Sequence, residues 1–175
     1  MHLEENVLNL INDQAILRGS FTLRSGRKSS WYIDKYKLTT MPHILEAVGQ
    51  EMSGRVLEDT NKVAGAELGG IPLVSVVSIK TGLPSVFIRN QKKNYGTERQ
   101  VEGSVGAGDR FILLEDIVTT GGQSIEAARL IESLGGIVQK IVAIFDRQEG
   151  GRENIENSGY LFDSLITRDM LGLKL

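Results

Sequence analysis

Phe111-Ile-Leu-Leu-Glu-Asp-Ile-Val-Thr-Thr-Gly-Gly-Gln-Ser124 is the stretch whose reading decides the fold. Its opening run, Phe111 to Leu114, is continuously apolar, the pattern of a strand buried on both faces of a parallel sheet. Glu115 and Asp116 follow at the strand's carboxyl end, and Thr119, Thr120, Gly121 and Gly122 form a turn rich in hydroxyls and glycines. That turn opens into a helical pattern of Ile125, Ala128, Leu130, Ile131 and Leu134. Ligands of open α/β sheets gather beyond the carboxyl ends of the strands. A glycine-rich turn feeding a helix N-terminus offers backbone N–H groups and the positive end of the helix dipole, which suits a phosphate. The two carboxylates would repel a phosphate, but they accept hydrogen bonds from sugar hydroxyls beside it. Phosphate at one end and diol at the other describe a phosphorylated ribose.

A Gly-Gly turn alone reads equally as an ordinary strand–turn–helix with acidic capping. The specificity lies in the whole string. It is not a Walker loop, because no Gly-Lys-Ser/Thr closes it, and Gly26-Arg27-Lys28-Ser29 lacks the first glycine of that pattern.

Composition narrows the classes. A chain of 175 residues is long enough for one domain with a sizeable core. Its 41% hydrophobic and 24% charged residues are those of a globular protein. A net charge of −2 gives no general basic footprint for nucleic acid or membrane. With no cysteine there is no disulfide, thiolate zinc site or Cys nucleophile, which fits a reducing cytosol. No apolar run reaches the roughly 18 residues of a membrane span. The N-terminus, with Glu4 and Glu5, lacks a signal-peptide pattern, so a cytoplasmic location is expected.

Outward from the motif, residues 3–18 carry a helical stripe of Leu3, Val7, Leu10, Ile11 and Leu17, which Gly19 stops. Phe21, Leu23, Trp31, Tyr32 and Ile33 have β-preference around a Ser25-Gly26 turn, a small hairpin whose basic turn is either solvated or part of a site. Pro42 opens an amphipathic helix in which Ile44, Val48, Met52 and Val56 recur every four residues, with Leu45 and Leu57 beside them. Val63 to Ala66 reads as the first strand of the main sheet, ending in Glu67-Leu-Gly-Gly-Ile-Pro72 before an apolar helix. The paired glycines there serve a close approach of backbone to ligand or simply a tight turn. Ser85 to Arg89 is the next strand. Residues 90–109, without apolar periodicity and holding Lys92, Lys93 and Arg99, read as a solvated basic loop or a lid with movable positive charge. A lid of that kind is what a diphosphate leaving group requires. Gly135-Gly136 ends the central helix, and Val138 to Phe145 is a buried strand delivering Asp146-Arg147-Gln148-Glu149. Gly150, Gly151, Asn154 and Asn157 mark a loop, Tyr160 to Ile166 a last strand, and Thr167 a short terminal helix. Strands alternating with helices imply a mostly parallel α/β sheet with right-handed crossovers.

The central string resembles the phosphoribosyl pyrophosphate (PRPP) signature of type I phosphoribosyltransferases. Three further segments resemble the orotate branch of that family. Gly19-Ser-Phe-Thr-Leu-Arg-Ser-Gly-Arg-Lys-Ser29 looks like its hood over the base, Phe87 to Gly96 like its catalytic loop followed by Val101-Glu102-Gly103, and Phe145 to Glu149 like the strand end whose arginine faces orotate. The resemblance spans about residues 15–150 and implies a central, mostly parallel sheet flanked by helices. A single domain of residues 1–175 would have its core at about 40–150 and a small hood at about 1–38 joined by the C-terminal segment.

By the same resemblance, orotate and PRPP with Mg²⁺ give orotidine 5′-monophosphate and pyrophosphate. The backbone of Ile117, Val118, Gly121, Gly122 and Gln123, with the hydroxyls of Thr119 and Thr120, would hold the 5′-phosphate. Glu115 and Asp116 would take the ribose hydroxyls, Leu68 to Gly70 the pyrophosphate, and Arg147 with Thr119 the orotate. Arg89, Lys92, Lys93 and Tyr95 would contact PRPP from a loop, residues 89–105, that acts in the neighbouring subunit of a homodimer. Lys93 and Asp116 would be the catalytic residues, and Mg²⁺ would sit mainly on PRPP oxygens.

The chain departs from the family pattern at Asn90, where many members have Lys, at Tyr95, where many have His, and at Gly69, where some have Lys. Charge-assisted hydrogen bonds are worth about 1.5–3 kcal/mol each, so these changes bear on PRPP affinity and rate rather than reaction type. Two rivals share the central motif: a sister enzyme for a purine or uracil, and a non-catalytic PRPP-sensing regulator. The first has no reason for the hood together with Asp146-Arg147-Gln148, and retained Arg89 and Lys93 argue against the second. An unrelated nucleotide-binding α/β protein would leave the acidic pair unexplained.

Overall fold

The computed structural model describes residues 3–22, 26, 28–90 and 100–174. Two sheets organise them. β1 (Ile16–Thr22) and β2 (Lys28–Ile33) pair antiparallel as a hairpin after helix α1 (Leu3–Gln14). Helices α2 (Lys37–Thr40) and α3 (Pro42–Ser53) lead into a six-stranded sheet. Its strands are β3 (Lys62–Ala66), β4 (Ser85–Ile88), β5 (Val101–Glu102), β6 (Arg110–Val118), β7 (Ile137–Asp146) and β8 (Leu161–Thr167). Helices α4 (Gly70–Thr81), α5 (Gly122–Ser133) and α6 (Gly151–Asn157) connect them, and a 3-10 turn covers Asp169–Leu171.

The spatial order is β5-β4-β3-β6-β7-β8, all parallel except the edge pairing of β5 with β4. The sheet grows one way from β3 to β4 and the other way from β6 to β8. The strand order therefore reverses between β3 and β6, and a crevice opens at their carboxyl ends, where such folds bind ligands.

β6 is central because it is apolar on both faces. Ile112 and Leu114 enter one core with α1, α3, α4 and the hairpin's Trp31, whereas Phe111 and Leu113 enter a second core with α5 and α6. All four are at most 1% exposed, so each contributes roughly 1.5–3 kcal/mol of transfer free energy. Within α3, Ile44, Val48 and Met52 are at 0% exposure as their spacing demands, but the helix ends at Ser53 with the cap Gly54, so Val56 and Leu57 lie beyond it. Pro42 stands in the first turn, where its missing N–H removes no helical hydrogen bond.

Several boundaries differ from the sequence reading. The strand of the central motif does not stop before the acidic pair; it runs through Glu115 and Asp116 to Val118. The N-terminal helix ends at Gln14, and Leu17 and Gly19 belong to β1 instead. Residues 17–22 are mostly exposed, so the hairpin rests on cross-strand pairing and a few buried residues such as Ile16 and Trp31. Gly26 keeps the positive φ of a turn, 83°, while Leu23, Arg24, Ser25 and Arg27 lie outside the described residues. Within 90–109, Val101 and Glu102 form the short edge strand β5. The segment beginning Gly150-Gly151 is not a loop but helix α6, anchored by the fully buried Ile155.

Candidate active site

At the crevice, β6 hands its chain to a turn whose geometry rests on two glycines. Gly121 has φ 79°, a left-handed conformation that a side chain would strain, and it caps α5. Gly151 faces the turn from α6, where a Cβ would stand 2.4 Å from Val118 Cγ1 and 2.7 Å from the Thr119 carbonyl oxygen. Asn154 Nδ2 donates to the Thr120 carbonyl oxygen at 3.0 Å. So α6 backs the turn directly. The sequence reading missed this support, because glycines and asparagines signal a loop wherever no apolar period is long enough to outvote them.

The turn wraps a small cavity of about 70 Å³ lined by Glu115, Ile117 to Gln123 and Ser124. Thr119, Thr120, Gly122 and Gln123 are exposed there, at the N-terminus of the 12-residue helix α5. The arrangement has the donors and dipole direction for a phosphate.

The acidic pair divides between the two faces of β6. Glu115 lines the turn cavity. Asp116 lies on the other side, its Oδ2 3.0 Å from Lys35 Nζ and its Oδ1 accepting the Ile117 N–H at 2.7 Å. Both carboxylates are buried, at 9% and 6% exposure. Burial, and then the charge of Asp116, push the Glu115 carboxyl up to about 8, against the opposing pull of Lys35. The Lys35 ammonium is drawn down by burial, but the attraction and hydrogen bond of Asp116 outweigh this and leave its pKa raised. Lys35, at the junction of hairpin and core, carried no signal in the sequence: a lone lysine after a strand reads as solvated.

Across the switch point, the Glu67–Gly70 segment comes against Asp116. A Cβ on Gly69 would fall 1.9 Å from Asp116 Oδ2, and one on Gly70 3.1 Å from the Leu114 carbonyl oxygen. The paired glycines therefore allow two backbones and a carboxylate to meet. Glu67 also receives the Asn90 backbone N–H on Oε1 at 2.8 Å, and its carbonyl receives Asn90 Nδ2 at 3.2 Å. Asn90 thus ties the foot of the 89–105 segment to this loop. Arg89 stands beside it with Nη1 4.0 Å from Glu102 Oε1. Lys92, Lys93 and Tyr95 lie outside the described residues.

Arg147 follows β7 next to the turn, its N–H donating to the Val118 carbonyl oxygen at 3.0 Å. Its guanidinium lies 4.8 Å from the ring centroid of Trp31, and its Nε donates to Glu149 Oε1 at 2.8 Å. Trp31 is held in turn by an edge-on contact with Phe145 and by its Nε1–H donating to the Lys174 carbonyl oxygen at 2.8 Å. Gln148, with φ 53°, exchanges two hydrogen bonds with Asp169, at 2.9 and 3.0 Å. Hairpin, β7 and C-terminal segment are thereby locked around one arginine.

The end of β6 thus carries the Thr119–Gln123 turn and both carboxylates, with Gly69 against Asp116 and the Arg147 backbone bonded to Val118. A model of the phosphoribosyl transferase domain matches residues 37–163. The orotate phosphoribosyltransferase of Methanocaldococcus jannaschii is 38% identical over 168 residues, covering 95% of this chain and 96% of that protein. That of Thermococcus gammatolerans is 44% identical over 160 residues, covering 90% and 85%. The chain belongs to the orotate phosphoribosyltransferase family.

Solved structures agree on the fold. The Mycobacterium tuberculosis orotate phosphoribosyltransferase in complex with PRPP superposes with TM-score 0.83 at 26% identity, covering 98% of this chain and 100% of that one. The orotate phosphoribosyltransferase of Aeropyrum pernix gives TM-score 0.78 at 29% identity, covering 94% of each chain. The type I phosphoribosyltransferase fold, a mostly parallel sheet flanked by helices, is therefore the fold of this chain. Among the described residues no helix is long and apolar enough to cross a membrane.

Proposed function

We propose that this protein transfers the 5-phosphoribosyl group from PRPP to orotate, giving orotidine 5′-monophosphate and pyrophosphate in pyrimidine synthesis. One observation carries the reading beyond family membership. Arg147, stacked on Trp31 of the hairpin, is hydrogen-bonded through its backbone to the end of the strand that bears the phosphate turn. A planar cation fixed beside a sugar-phosphate site suits a planar anionic base.

In this reading the backbone of Ile117 to Gln123 and the hydroxyls of Thr119 and Thr120 bind the 5′-phosphate. Glu115 and Asp116 bind the ribose hydroxyls, and Asp116 steadies positive charge as the sugar becomes oxocarbenium-like. Thr119 and Arg147 orient orotate. Its ring nitrogen bonds to the ribose C1 as the C1–O bond to diphosphate breaks, and the ring proton leaves with the pyrophosphate. Leu68 to Gly70 receive the diphosphate through backbone groups. Arg89, Lys92, Lys93 and Tyr95 reach it from the neighbouring subunit of a homodimer, where Lys93 stabilises the departing charge.

Among the described residues no group of three or more His, Cys, Asp or Glu side chains forms a metal cage. The donors near the diphosphate, Asp116 and backbone carbonyls, suit a Mg²⁺ carried in on substrate oxygens and water. When bound there it neutralises diphosphate charge. A single domain of hood and core, working in the cytoplasm, completes the proposal.

The test is orotate absorbance in the presence of protein, PRPP and Mg²⁺, with uracil and hypoxanthine in parallel. Orotate consumption dependent on PRPP and Mg²⁺ is expected. Turnover of uracil or hypoxanthine but not orotate would overturn the base assignment, and PRPP binding without turnover of any base would favour a regulator.

A further inference from the structure

We propose that Lys35 is a catalytic cation of this site, holding Asp116 while the crevice is empty and moving to the diphosphate of PRPP when the sugar binds. This rests on the proposed phosphoribosyl transfer. Three observations meet at one atom. Asp116 Oδ2 is 3.0 Å from Lys35 Nζ, and the same oxygen lies 1.9 Å from where a Cβ of residue 69 would stand. Ammonium, carboxylate and the Leu68–Gly70 backbone therefore share a single point on the hood side of β6. The lysine is also open to the crevice and solvent: its side chain is 40% exposed, whereas that of Asp116 is 9% exposed. Its stem leaves the hairpin just after Asp34, whose N–H is fixed to the Ala15 carbonyl oxygen at 2.9 Å, so the anchor is tied down while four rotatable bonds separate it from the ammonium.

The exchange follows from charge and hydrogen bonding. Asp116 is an acceptor for which ribose hydroxyls and Lys35 compete. When a diol donates to the carboxylate, the ammonium loses part of its attraction but gains a denser partner, the diphosphate lying against Leu68 to Gly70. A compact ammonium on a four-carbon stem can follow that charge as the C1–O bond breaks, without any movement of the backbone. Gly69 is what makes the arrangement possible, because a side chain there would occupy the space at Asp116 Oδ2. Lys35 would thereby supply, from within the subunit, a cation that the pyrophosphate loop itself does not carry.

The experiment compares Lys35→Met and Lys35→Arg with the natural protein, by isothermal calorimetry of inorganic pyrophosphate and of PRPP with Mg²⁺, and by steady-state kinetics. Loss of a charge-assisted hydrogen bond predicts that Lys35→Met weakens pyrophosphate and PRPP binding about tenfold or more. It should lower kcat by a similar factor and change the KM for orotate less than about twofold, with Lys35→Arg restoring most of both. A structural role confined to pairing Asp116 would lower the unfolding midpoint and leave pyrophosphate affinity unchanged, and that result would overturn the proposal. Because pyrophosphate binding is read without turnover, a protein that binds pyrophosphate through Lys35 yet ignores orotate would sink the base assignment alone. Failure of the natural protein to bind either ligand would sink both.

Discussion

Replacing Glu115 by glutamine should stabilise the ligand-free protein, and more so as the pH rises. The carboxyl is buried, and burial together with the neighbouring charge of Asp116 holds its pKa at about 8 rather than 4.5. In the unfolded chain Glu115 gives up its proton near its ordinary value, whereas in the folded chain it keeps the proton until about pH 8. The folded state therefore binds more protons between those limits, so stability falls as pH rises from about 4.5 to about 8 and levels off above. One proton over that window is worth about 1.4 kcal/mol per pH unit, a ceiling of about 5 kcal/mol. Domain stabilities are typically about 5–15 kcal/mol, so the effect is large. A glutamine keeps the shape and removes the titration. Urea unfolding at pH 5, 7 and 9 should show Glu115→Gln close to the natural protein at pH 5 and several kcal/mol more stable at pH 9. Parallel pH profiles for the two proteins, within about 0.5 kcal/mol, would refute the argument that burial and Asp116 hold this carboxyl protonated.

Gly151→Ala places a methyl against Val118 and the Thr119 carbonyl, so it should displace the phosphate turn; PRPP affinity measured by calorimetry is expected to fall about tenfold or more with the fold retained by circular dichroism. Trp31→Leu removes the ring under Arg147 from a site 3% exposed, and should lower stability by about 2–4 kcal/mol in denaturant melts. In kinetics the same variant should raise the KM for orotate more than that for PRPP; equal effects on both would mean that the stack does not orient Arg147. Lys93→Ala should lower kcat at least about tenfold with cleavage of the C1–O bond to diphosphate as the affected step, and unchanged turnover would remove Lys93 from the catalytic set.

Much of this molecule was legible because the signals were local. The run Phe111 to Leu114 predicts a strand buried on both sides, and its residues do enter both cores. The glycines of the turn, and those at 69 and 70, mark places where backbone must come close to something, and steric contacts to Asp116 and Leu114 account for the latter pair. Local signals also misled. Leu17 extended a helical period that Gln14 ends, because a β hairpin with one wet face leaves no clean alternation to set against it. Helix α6 is short, and one buried residue, Ile155, anchors it, so its glycines and asparagines outweighed its helical character.

The sequence by itself determined the strand–turn–helix proposed to hold a sugar phosphate, the alternation that makes the sheet parallel, and the family. These depend on neighbours along the chain: an apolar run, a glycine at a positive φ, hydroxyls at a helix start. The tertiary structure alone decided which way each carboxylate faces and what stands opposite it. Glu115 turns toward the cavity of the Thr119–Gln123 turn, and Asp116 toward Lys35 and Gly69, residues brought from the hairpin and from the far side of the strand-order reversal. Adjacent residues of a strand point to opposite faces, and only the packing of hairpin and loops on the sheet supplies each face with its partner. The same packing sets Arg147 on Trp31, a contact between segments remote along the chain that no spacing in either could announce.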